Sequence, residues 1–179
     1  MKTKKFFYAL AALFCCLSLT SCGDDDDDIL PAEKTITKAY LCVTAKPSAE
    51  QLSVADLTLK YTDAEGKEIT DVVNETTWER KVTVTKFPVN ATFTYNCKKK
   101  EGATINSEAS YKMSRQLLIK VIVDYSDGST GTIWDDNILT FDNYITINGS
   151  KVENWLTNHA TLATKKIAFD DKGKNLSVN

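Results

Sequence analysis

Histidine is nearly absent: His159 is the only one in 179 residues. Any Ser-His-Asp triad, Cys-His dyad or histidine metal site would have to pass through it, and it falls on the apolar stripe of an expected helix, where packing is the commoner role. Prolines number three and glycines seven, which excludes collagen-like and proline-rich linker architectures. No HExxH, CxxC, GxSxG, Walker A or calcium-loop spacing occurs, so no catalytic, metal or cofactor role has motif support. Long apolar runs are missing after residue 17, leaving no later segment near the roughly 20 residues a spanning helix needs.

What is present begins with Met1–Lys5, a basic stretch, followed by Phe6–Leu17, an apolar run without charge. A short basic region, a short apolar region and small residues before a cleavage point are the anatomy of an export signal. Leu19, Thr20, Ser21 and Cys22 follow directly, and this tetrad resembles the bacterial lipobox. The resemblance implies a signal peptide over 1–21 and a diacylglyceryl group on the Cys22 sulfur. Each buried acyl methylene contributes about 0.8 kcal/mol, and two or more chains convert marginal association into durable anchoring. Asp24, Asp25, Asp26, Asp27 and Asp28 then form an uninterrupted acidic run, whose self-repulsion predicts a solvated spacer. The run also resembles the export signal of surface-exposed lipoproteins of the Bacteroidota. That resemblance implies an outer-membrane address facing the cell exterior. Residues 22–34 are thus expected to be a lipidated tether, and 35–179 a single domain.

Removal of Lys2, Lys4 and Lys5 with the signal takes the net charge from −2 to −5, and the acidic run accounts for that excess. The body is formally neutral and has no global field to draw in nucleic acid. A chain of this length buries about 70% of the surface it exposes when unfolded, enough for one ordinary core.

Within the body, Leu57, Leu59 and Tyr61 alternate with polar residues, turn chemistry follows at 63–66, and a second run surrounds Ile69; together they predict a hairpin. Residues 77–85 alternate around Val82 and Val84, and 89–97 place Val89, Ala91, Phe93, Tyr95 and Cys97 on one face. Period two predicts strands in both. Leu117, Ile119, Val121, Val123 and Tyr125 mark the most apolar strand, and Asp127-Gly128 turns it into a partner over 130–134. The period changes at 150–163, where Val152, Trp155, Leu156, His159, Ala160 and Ala163 recur at three and four, with Ser150 and Glu153 at capping-box spacing. A short helix is expected there, then a strand over 165–169, a turn at 171–173 and a terminal strand. The fold class is therefore all-β, an antiparallel β-sandwich (immunoglobulin-like, or a related barrel) with one short C-terminal helix.

Cys42 and Cys97 are the thiols left to the body. An even pair in an exported domain invites a disulfide worth about 4 kcal/mol, but the two fall on opposite faces of their strands, and separate thiols are the alternative. For ligand contact the tryptophans are the candidates, because an indole face stacks on a sugar ring while nearby amides and carboxylates bond its hydroxyls. Trp134 precedes Asp135, Asp136 and Asn137 after a hairpin, and Trp78 is the second candidate. Against this stands core packing, the commoner fate of tryptophan. The resulting expectation is a non-catalytic surface module, membrane-bound through its lipid, for a glycan or a surface protein. A fimbrial or adhesin-like subunit and a surface polysaccharide or peptide hydrolase are the alternatives.

Overall fold

The structure is a computed structural model that describes residues 33–63, 65–136 and 143–179. Cys22, Asp24–Asp28 and Asn137 lie outside the described residues. Glu33–Asn179 is one compact unit.

Alternating apolar residues make β1 (Ile36–Ala45) the centre of a first sheet, with Ala39, Leu41, Val43 and Ala45 turned to the core. It lies between β4 (Trp78–Val84) and β7 (Leu117–Tyr125), and β7 pairs in turn with β8 (Thr130–Asp135). The second sheet runs β11 (Ser177–Val178), β10 (Thr161–Phe169), β5 (Val89–Lys99), β2 (Ala55–Thr62), β3 (Glu68–Val73). Every ladder among the described residues is antiparallel. The sheets share no strand, so the fold is an antiparallel sandwich and not a closed barrel. Between them lie Leu41, Leu57, Leu59, Phe93, Tyr95 and Ile119, each large apolar side chain contributing about 1.5–3 kcal/mol by leaving water. Tyr61 stacks on Phe93 at 5.7 Å. Glu33–Asn179 holds the core and every ladder found among the described residues, and so meets the requirement for folding on its own.

Both helices and one strand pair depart from the expected pattern. A helix α1 (Ala49–Val54) carries the chain from β1 to β2, capped by Ser48, whose Oγ accepts from Gln51 N at 2.9 Å. Gln51 is wholly buried: its amide accepts from Ser114 N at 2.8 Å and donates to Ser114 O at 3.1 Å. In this way it acts as a one-residue strand partner for β6 (Ser110–Ser114), which pairs on its other side with β9 (Tyr144–Asn148). The C-terminal helix α2 spans Gly149–Asn158 and not 150–163. Its stripe stops there because Thr161–Phe169 pairs with β5 along its length, with Ala163 against Tyr95 and Ile167 against Ala91. The ladder, unbroken from Ala163 to Phe169 after a register shift that follows Thr161, outweighs the helical preference of Ala160 and Ala163. Asn148, not Ser150, is the cap, accepting from Ser150 N at 3.1 Å, while Glu153 is drawn away to Lys99. Gly149 admits no side chain, since a Cβ there would stand 1.8 Å from Asn106 O.

The unit's ends differ. At one, the incoming chain is fastened: Glu33 pairs with Lys172 and with Lys174 (2.8 Å), Lys34 with Asp127 (2.6 Å), and Ser126 N donates to Thr35 O (2.8 Å). The two lysines hold the Glu33 carboxyl down at about 2. At the other stand α1, the β6–β9 ribbon and α2, which extend from the far ends of β1 and β5.

Candidate functional site

The two flanks of the sandwich, where sheet edges face each other, are each closed by charged side chains. On the β8 flank Asp136 collects three donors: Trp134 Nε1 at 2.8 Å, Ile119 N at 3.1 Å, and the Lys165 ammonium of the opposite sheet at 3.3 Å. Its side chain is only 14% exposed. Asp135 pairs with Lys120 at 3.0 Å. The expected ligand rim is therefore a structural tie, with Trp134 half-buried and its indole N–H engaged. Nor does Trp78 join it. The two tryptophans lie on opposite edges of a four-stranded sheet, about 14 Å apart across it and about 13 Å along it from their partners Leu117 and Val121. No paired aromatic platform forms between them.

The β3–β4 flank is different, because it leaves a cleft of about 270 Å³ lined by Tyr61, Asp63, Glu65, Arg80, Lys81, Val82 and Thr83. Behind two of these side chains Asp71 accepts from the Tyr61 hydroxyl at 3.0 Å and from Arg80 Nε at 2.7 Å. Arg80 also lies 5.8 Å from the Trp78 ring centre, within cation–π range. Asp71 uses only Nε, so the terminal guanidinium N–H groups have no hydrogen-bond partner among the described residues. The hydrogen bond to Asp71 raises the Arg80 pKa and fixes its charge; burial, reinforced by that carboxylate, raises Tyr61 and keeps its hydroxyl protonated. Asp63 accepts from Glu65 N and Lys67 N, both at 2.9 Å, and so shapes the rim turn. The result is a shallow cleft, mostly open to solvent, with cationic donors, carboxylate acceptors and a strip of apolar wall from Val82, a surface that can offer hydrogen bonds to hydroxyl or carboxylate groups.

Arg80 and Asp71 were not singled out from sequence, yet a signal was there. Each occupies the core-facing phase of its strand, Trp78-Arg80-Val82-Val84 in one and Ile69-Asp71-Val73 in the other. Two opposite charges in the inward phase of neighbouring strands mark a flank tie.

Of the two readings open for the cysteines the structure shows the separate one: Cys42 and Cys97 are free thiols. Cys42 is on the outward side of β1, paired across with Lys81 and Lys120, while Cys97 faces the core from β5 in the other sheet. Burial pushes Cys42 up despite its lysine neighbours and pushes Cys97 up to about 11; Cys97 Sγ donates to His159 O at 3.0 Å. His159 ends α2, stacked on Trp155 at 4.6 Å, with Nδ1 2.8 Å from Trp155 O. It packs, as its position on the stripe predicts.

The chain matches no known family, no curated protein and no solved structure. Among the described residues no helix is long and apolar enough to cross a membrane, and no three metal-ligating side chains converge.

Proposed function

We propose that this protein is a lipid-anchored module of the outer-membrane surface that binds a glycan without transforming it. The address is carried by one observation, the tetrad Leu19-Thr20-Ser21-Cys22 behind a basic and an apolar segment of signal-peptide length. The acidic run after Cys22 supports display toward the exterior, and the fastening of Glu33 and Lys34 fits a tether that pulls on one end of the domain. Binding is assigned to the Tyr61–Arg80 cleft, the pocket whose donors are held charged yet incompletely used. A guanidinium on an aromatic ring, with a hydroxyl and carboxylates close by, can bond several sugar hydroxyls or a uronic carboxylate.

Two experiments separate address from activity. Protease shaving of intact cells should remove the domain; persistence behind an intact outer membrane contradicts surface display. A glycan array probed with Glu33–Asn179 should give hits that Arg80→Ala abolishes. Hits unaffected by that substitution place binding elsewhere.

A further inference from the structure

The strand β4 is the outer edge of the first sheet, and its backbone polar groups divide by alternation. Lys46 N donates to Gln116 O, so the even-numbered residues of β1 bond to β7 and the odd-numbered ones, Ala39 to Ala45, bond to β4. Their partners Trp78, Arg80, Val82 and Val84 thus spend their backbone groups on β1. The N–H and C=O groups of Glu79, Lys81 and Thr83 point away from the sheet, without partners among the described residues. The cleft opens beside Lys81 and Thr83, so no element among the described residues covers this edge.

We infer that the β4 edge pairs antiparallel with the same edge of a second copy of this chain, about a two-fold axis at Arg80. Hydrogen bonding requires outward-pointing residues to meet outward-pointing residues, which allows few registers. An axis at Glu79 or Lys81 sets like charges face to face, and one at Val82 sets Lys81 against Thr83. The axis at Arg80 sets Glu79 across from Lys81 of the other copy, twice, because a two-fold contact is self-complementary. On the inner face it brings half-buried Trp78 against Val82 of the other copy. The two Arg80 side chains also meet, each already compensated by its own Asp71 at 2.7 Å. Edge charges ordinarily guard against such pairing; here their order makes the edge complementary to itself. The pairing sets the two Glu33 residues at opposite ends, which gives the adhesin-like reading a geometry: copies tethered on facing membranes can join.

Arg80, Lys81, Val82 and Thr83 line the cleft as well as the paired edge, so pairing and glycan capture compete for it; the two are told apart at Glu79, which does not line the cleft. The unit Glu33–Asn179 is followed by sedimentation equilibrium from micromolar to millimolar concentration in reducing buffer, which excludes dimers linked through Cys42. A monomer–dimer equilibrium is expected. Glu79→Lys alone, or Lys81→Glu alone, puts like charges across both symmetric contacts and weakens the dimer roughly tenfold or more. The double reversal restores it. Circular dichroism checks the fold of each variant, and either single reversal suffices for the comparison should the other fail to fold. A wild-type chain that stays monomeric, single reversals without effect, or a double reversal that does not recover would each overturn the pairing.

Discussion

Replacing Asp136 by alanine tests whether the β8 corner is a structural tie or a ligand rim. The carboxylate accepts from a backbone N–H, an indole N–H and an ammonium. Ile119 is fully buried and Trp134 half-buried, so the first two donors lose their acceptor with little water to replace it. Each costs about 1–2 kcal/mol. The ion pair with Lys165 has one largely covered partner and adds about 0.5–1 kcal/mol. The sum is about 3–5 kcal/mol, equivalent to a fall in Tm of about 10 °C for a unit of this size. Asp136→Asn keeps one acceptor oxygen and should lose about half as much. Urea unfolding of Glu33–Asn179 and both variants, with unchanged m-values, measures these differences. An Asp136→Ala protein within 1 kcal/mol of wild type, or an asparagine variant as unstable as the alanine one, refutes the tie.

Native protein treated with a thiol reagent near neutral pH should react at half-buried Cys42 first, and at Cys97 only on unfolding, since burial holds that thiol at about 11; equal rates would contradict the packing. Gly149→Ala should destabilise by about 3 kcal/mol in the same urea assay, because its Cβ would overlap Asn106 O; a neutral substitution would mean that the α2 start is misplaced. For Glu33 the folded pKa lies below the ordinary 4.5, so its clamp is complete above that value and is lost as pH falls toward about 2. An NMR titration of the Glu33 carboxyl should show the depressed midpoint, and the Lys172→Ala/Lys174→Ala pair should return it to the ordinary range. A midpoint unmoved by that pair would contradict the clamp. Gln51→Ala should cost about 2–4 kcal/mol by stranding both backbone groups of Ser114, with a loss below 1 kcal/mol in urea contradicting the latch.

The sandwich was largely legible because its main strands are half-buried, and half-burial writes itself as period two. The pattern Val89, Ala91, Phe93, Tyr95, Cys97 became β5, and Asp127-Gly128 became the β7–β8 turn. The missed elements α1, β6 and β9 have six, five and five residues, too short to show a period, and they are held by long-range contacts such as Gln51 to Ser114. The helical period at 150–163 runs past the end of α2 at Asn158, since the strand that follows is enforced by β5 and not by local preference. The site was less legible for a related reason. Trp134 and its acids looked like a binding group because they are adjacent in sequence, yet adjacency did not show that Lys165 and Ile119 would claim Asp136. Asp71 and Arg80 meet only because β3 and β4 stand on facing edges, a fact of topology that no local window contains.

Intact-mass analysis of the protein purified from its native envelope tests the central claim most directly. A chain starting at residue 22, heavier by a diacylglyceryl group at the cysteine sulfur, is the expected result. A free thiol at that position, or a polypeptide that keeps its first 21 residues, would contradict it.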